Sequence, residues 1–156
     1  MNRQDVIRTI LGAADDGVVI VASLADTSFE LCMLGDRPRN FYMLGSFGLA
    51  PSIALGVALS RPDPVIAIDG DGALLYNLGC LATEGRYAPA NYLHVVVNNG
   101  AHGATGYQPT ATSGTADLAA VAAGCGLRAR DVADQDALRD ALREALDGKG
   151  GAQVIV

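Results

Sequence analysis

A chain of 156 residues, half apolar and 18% charged, is long enough to bury a core and too apolar to be disordered. The net charge of −6 argues against nucleic acid or an anionic membrane held by bulk electrostatics, so an anionic ligand must be gripped locally, by backbone amides or a metal. The three cysteines, Cys32, Cys80 and Cys125, lie far apart with no CxxC or Cys/His spacing, which reads as inert thiols rather than a disulfide framework or metal site.

In chain order, "RQDVIRTILGAA" carries helical spacing, "DGVVIVASL" is a β-branched run, and "SFELCML" is again helical. A turn, "GDRPRN", leads through "FYMLGSFG" to "LAPSIALGVALS", a small-residue segment that reads as a buried helix beginning near Pro51. "PVIAIDG" predicts a strand, "ALLYNLGCLATEGRY" one helix, and "NYLHVVVNN" another strand. A loop over 100–115 follows, then a helix near 116–124, a short strand at "LRARDV", a helix over 134–147 and a closing strand "AQVIV". Continuous apolar strands alternating with helices predict an α/β fold: one three-layer domain over residues 1–156, with a parallel sheet of about six strands and helices on both faces. The longest apolar runs are strand-sized and no leader pattern opens the chain. A cytoplasmic setting without membrane contact is therefore expected.

In such sheets ligands sit at the carboxyl ends of the strands. Two polar clusters fall there: "DGDGA" after Val65–Ile68 and "NNGAHG" after Leu93–Val97. Glycines allow a phosphate to approach the backbone, and a helix starting near Leu74 would aim free amides at the same place. Asp71 would repel that anion unless a cation lay between them. A carboxylate with an amide oxygen suits Mg²⁺ shared with phosphates. A dinucleotide fold is disfavoured, because Leu75 stands where GxGxxG needs its third glycine.

The pairing of GDG with NN, at the ends of two apolar strands with a helix between, resembles the cofactor motif of thiamin-diphosphate-dependent enzymes. The likeness runs from about Asp26 to Pro109 through "FYMLGSFGLAPSIALGVAL" and "GDGALLYNLGCLATEGRYAPANYLHVVVNNGAHGATGYQPT". Within the family it is nearest to the sulfopyruvate and phosphonopyruvate decarboxylases. The resemblance implies a thiamin-diphosphate-binding fold in which Asp71, the Asn99 side chain and the Ala101 carbonyl hold Mg²⁺. Gly70 flanks the metal aspartate, and Gly72 and Ala73 offer amides to the diphosphate. In "GSFG", the Gly45 carbonyl accepts from the aminopyrimidine, Ser46 belongs to the same turn, and Phe47 wedges beneath the cofactor. His102 and Gly103 complete the cofactor loop. His102 is also the catalytic candidate, and with Thr105 and Gln108 it can donate to an anionic substrate tail.

The implied reaction is decarboxylation of a small 2-oxo acid, phosphonopyruvate or sulfopyruvate, to an aldehyde and CO₂. An acetolactate-synthase-like carboligase subunit and a non-catalytic thiamin-diphosphate module are the rival readings. The family also implies a partner: a pyrimidine-domain (alpha) subunit carrying the activating glutamate, in an α₂β₂ or larger complex. Outside the motif, His94 reads as a hydrogen-bonded structural histidine inside a strand, and His102 as either a loop-stabilising or a substrate-side residue. Arg37 and Arg39 read as solvated turn residues.

Overall fold

Short runs of β-branched and small apolar residues build one parallel sheet of six strands. They are β1 (Val19–Ala22), β2 (Asn40–Tyr42), β3 (Val65–Gly70), β4 (Tyr92–Val97), β7 (Arg128–Arg130) and β8 (Gln153–Ile155), in the order β2-β1-β3-β4-β8-β7. A two-stranded antiparallel hairpin, β5 (Ala101–His102) and β6 (Gln108–Pro109), stands apart. The computed structural model describes residues 1–147 and 153–156; Ala152, in the closing strand expected from sequence, lies outside them.

Alternation along the central strands sends side chains to two cores. Ile66, Ile68, Leu93 and Val95 point to a layer formed by α1 (Arg3–Ala13), α2 (Asp26–Gly35) and α7 (Gln135–Leu146), whose Ile7, Ile10, Leu31, Leu138 and Leu142 are fully buried. Ala67, Tyr92 and Val96 point the other way, to α3 (Ala50–Ser60), α4 (Asp71–Tyr76), α5 (Cys80–Tyr87) and α6 (Leu118–Gly124). The three-layer prediction holds. Truncating a buried leucine such as Leu81 or Leu142 to alanine should cost about 2–5 kcal/mol.

Local chemistry sets the helix ends. Asn2 and Asp5 form a reciprocal capping box on α1, while Asp117 and Asp134 accept from Ala120 and Ala137 to start α6 and α7. Small residues on α3, Ala50, Ala54 and Ala58, are buried and bring that helix close to the sheet.

Two expectations are corrected. The helix expected over 73–87 is two helices, and the first starts at Asp71 rather than near Leu74. The break at Asn77–Gly79 has a tertiary cause: Asn77 Nδ2 donates to the Gly48 carbonyl at 2.9 Å, and tighter turns close through Asn77 N to Leu74 O and Cys80 N to Asn77 O. Gly48 takes φ +71°, and a Cβ there would lie 2.6 Å from the Ala73 carbonyl. Arg37 and Arg39 are not free surface charges. Arg37 donates to the carbonyls of Asp15 and Val18, and Arg39 to Gly17 and Asp63, which pins the turn before β1.

Candidate functional site

The strand order reverses between β1 and β3, and the loops leaving their carboxyl ends diverge to open a cleft. One wall is the β3–α4 turn, Gly70 to Ala73. The second is Asn99 with the hairpin residues Ala101 to Thr105, and Phe47 also lines the cleft. Of the residues expected from sequence, Gly45, Ser46 and Gln108 do not line it.

Asp71 is only 2% exposed, and the side-chain hydrogen bonds to it converge on one oxygen. Thr110 Oγ1 donates to Oδ2 at 2.5 Å and Thr112 Oγ1 lies 2.8 Å from the same atom. Asn99 is exposed, with its Oδ1 accepting from the Ala101 amide at 3.0 Å, a turn that orients the side chain. The cleft thus brings together Asp71, Asn99 and Ala101, which carry a carboxylate, an amide oxygen and a backbone carbonyl, all hard oxygens. Among the described residues there is no group of three or more His, Cys, Asp or Glu that could hold a metal ion.

His102 lies directly on the β3–α4 turn: a Cβ added to Gly72 would meet its Nδ1 at 2.4 Å. Any side chain at Gly72 would have to displace the His102 ring. Its ring also stands edge-on to Tyr76, with centroids 6.0 Å apart, and Tyr76 stacks on Phe47 at 5.0 Å. The Asn77–Gly48 bond holds this aromatic series in place. Thr105 and Gln108 are committed to each other, through Thr105 Oγ1 to Gln108 Oε1 and Gln108 Nε2 to the Thr105 carbonyl, both 3.1 Å. His102 is left as the hairpin's donor beside the turn.

Sequence reasoning missed the wall opposite, Ser23 to Thr27 with Arg3. Its signal was available, since "ASLADT" ends a strand neighbouring β3. Ala25 there takes φ 57° and ψ −127°, unusual for a residue with a Cβ, as the chain turns into α2. Arg3 bonds Glu30 through Nε at 2.8 Å and Nη2 at 3.0 Å, and reaches Asp26 at 3.2 Å. The Arg3 guanidinium holds the Glu30 carboxyl below its usual range. This rim cation is thus already neutralised, and an anion in the cleft must rely on amides, His102 or a metal.

Beneath the turn lies a second polar group. Asp69, Glu84 and His94 are all fully buried, with His94 Nδ1 3.2 Å from Glu84 Oε2. Burial pulls the His94 imidazole towards neutrality, but the Glu84 carboxylate more than offsets this and its pKa ends above the usual value. Burial pushes Asp69 up, opposed by the charge of His94. His94 is thus a hydrogen-bonded structural residue, as expected. The Cys80 thiol is pushed up by burial, which leaves it inert.

Residues 29–156 match the model of the thiamine pyrophosphate enzyme, C-terminal TPP binding domain. The chain belongs to this family. It is 49% identical over 125 residues to sulfopyruvate decarboxylase subunit beta of Methanocaldococcus jannaschii, covering 80% of this chain and 66% of that one. It is 44% identical over 145 residues to phosphonopyruvate decarboxylase of Streptomyces viridochromogenes, covering 92% of this chain but 36% of the relative. The fold matches that of a thiamine diphosphate-dependent 4-hydroxybenzoylformate decarboxylase from Rhodococcus jostii RHA1, with a TM-score of 0.86 over the whole chain and 32% of that protein, at 23% identity. Among the described residues no helix is long and apolar enough to cross a membrane.

Proposed function

We propose that this chain is the cofactor-binding subunit of a thiamin-diphosphate- and Mg²⁺-dependent 2-oxo acid decarboxylase acting on phosphonopyruvate or sulfopyruvate. The observation that carries the reading is the meeting of Asp71, Asn99, Ala101 and His102 in one cleft at the ends of β3 and β4. The names of the relatives at 49% and 44% identity support the substrate class.

In this reading Asp71 Oδ1, the Asn99 amide oxygen and the Ala101 carbonyl hold Mg²⁺, and the amides of Gly72 and Ala73 face the diphosphate. Phe47, backed by Tyr76, would set the floor under the cofactor ring, and the Gly45 carbonyl, two residues before it and outside the cleft of this chain, would accept from the amino group only where the ring extends beyond the cleft toward the partner subunit. The bound cofactor supplies the electron sink for loss of CO₂. His102, resting on Gly72, donates to the anionic tail of the substrate and holds a proton near the reacting end. Exposed Phe29 and Met33 on α2, and Leu44 and Leu49 around the Phe47 turn, suit an apolar interface with a pyrimidine-domain subunit that brings the activating glutamate. An α₂β₂ or larger assembly follows from that division of labour.

The test is coexpression with the candidate partner, then assay of CO₂ and aldehyde from phosphonopyruvate, sulfopyruvate and pyruvate. Turnover of an anionic-tail acid, absent from the chain alone and reduced in His102→Ala, is expected. Acetolactate from pyruvate would establish a carboligase instead, and cofactor binding without turnover a non-catalytic module.

A further inference from the structure

The root of the β5–β6 hairpin and the Asp71 carboxylate share one hydrogen-bond network. Thr110 N donates to the Gly100 carbonyl at 2.9 Å, closing the hairpin's base. Thr110 is buried, and its hydroxyl reaches across 39 positions of sequence to Asp71 Oδ2. The Thr112 hydroxyl lies 2.8 Å from that oxygen, 2.8 Å from Thr110 Oγ1 and 2.9 Å from Asn98 Oδ1. Asn98 Oδ1 in turn accepts from the Gly100 amide at 3.2 Å, so it is an acceptor here. Thr112 has one proton for these acceptors. The Asp71 carboxylate thus joins α4 to the C-terminal side of the hairpin's base through Thr110 and Thr112, and Thr112 continues the network to Asn98 on the other side.

We propose that Thr110 and Thr112 are positioning residues that couple metal binding at Asp71 to closure of the hairpin carrying His102. The inference rests on the assignment of Asp71 as a magnesium ligand made above. With Oδ2 held by two hydroxyls, the carboxylate plane is set and Oδ1 is turned to the ion before it arrives. Groups that orient a ligand in this way typically contribute 10- to 100-fold to metal affinity. Coupling is reciprocal: if the closed hairpin strengthens metal binding, the metal must strengthen closure by the same factor.

The experiment uses the full chain assembled with its partner, and compares wild type, Thr110→Val/Thr112→Val, Thr112→Val, Thr110→Ser and Asp71→Asn. Calorimetry gives the MgCl₂ dependence of thiamin diphosphate binding. Hydrogen exchange follows the amides of 101–108 with and without Mg²⁺ and cofactor, and thermal unfolding checks that each variant is folded. The double valine variant should need roughly 10- to 100-fold more Mg²⁺, and its hairpin amides should gain no protection from the ion. Thr112→Val should shift the same two readouts in the same direction by a smaller factor and serves if the double variant does not fold. Thr110→Ser, which keeps the hydroxyl, should stay near wild type. Unchanged Mg²⁺ dependence in the folded valine variants, or failure of serine to preserve it, overturns the coupling while leaving the metal assignment standing, provided Asp71→Asn loses the dependence. An Asp71→Asn variant that binds like wild type overturns both.

Discussion

Asp69 and Asp71 leave the same strand end and are both buried, yet their surroundings are opposite in kind. Asp71 has two threonine hydroxyls on one oxygen and lines the cleft. Asp69 faces the core with Glu84 and His94, where Asp69 Oδ2, Glu84 Oε1 and His94 Nε2 have no hydrogen-bond partner among the described residues. Orphaned buried polar atoms are costly, and the pair's attraction only offsets their desolvation. The contrast teaches that burial and a perturbed pKa do not by themselves mark a site. Burial raises the pKa of Asp69, which lies away from the cleft, whereas Asp71 lines it.

The largest effect should come from breaking the core group by half. His94→Ala leaves Glu84 buried without its partner and should lower folding stability by about 3–5 kcal/mol, measured by chemical denaturation. Replacing both, as Glu84→Met/His94→Leu, should restore most of that loss, with cofactor affinity little changed.

Asp71→Ala should do the reverse. Thiamin diphosphate affinity in the presence of Mg²⁺ should fall by at least about 100-fold, while stability changes by about 1 kcal/mol or less, because Thr110 and Thr112 can still bond each other. Calorimetry and denaturation on the same samples give both numbers. If the two variants failed to trade places across the two readouts, the contrast would be lost.

The pH dependence sharpens it. His94 binds its proton more tightly folded than at its ordinary value of 6.5, so its contribution is fully present below that pH and fades as pH rises through the higher folded value. Asp69 is raised from 3.8, so it too holds a proton in the folded state that the unfolded chain has lost, and its contribution likewise fades with rising pH. Stability should therefore decline from pH 5 towards pH 8, by at most about 1.4 kcal/mol per pH unit for each proton involved. The doubly apolar variant should lose the His94 share of this slope and keep that of Asp69, and a wild-type stability rising over that range would contradict the sign.

The smallest effect belongs to the aromatic series. Tyr76→Leu removes a stack on Phe47 and should cost about 0.5–1.5 kcal/mol by thermal unfolding. Phe47→Ala should lower turnover of the assembled enzyme more than cofactor affinity.

The layers were legible because Val65–Ile68 and Leu93–Val97 are apolar on both faces, a pattern that parallel central strands require. Asp71, Asn99 and His102 were legible because such strands end where ligands bind. Apart from the Ser23–Thr27 wall, whose strand-end signal was local, what was missed depends on contacts distant in sequence. The helix break at Asn77 depends on the Gly48 carbonyl, and the brace on Asp71 comes from Thr110 and Thr112. The roles of Arg37 and Arg39 lie in carbonyls before β1. Local periodicity carries none of these.

The tie between Asn77 and Gly48 gives the cleft a fixed gauge. It joins the Phe47 turn to the far end of α4, whose near end is Asp71, so the two grips are separated by a short rigid rod, about 8 Å along five helical steps. A rod does not adjust to its cargo. In the reading proposed above, with Phe47 under the ring and Asp71 at the metal-bound phosphates, that fixed spacing should sort ligands by length, so thiamin monophosphate, one phosphoryl group shorter, should bind more weakly than the diphosphate.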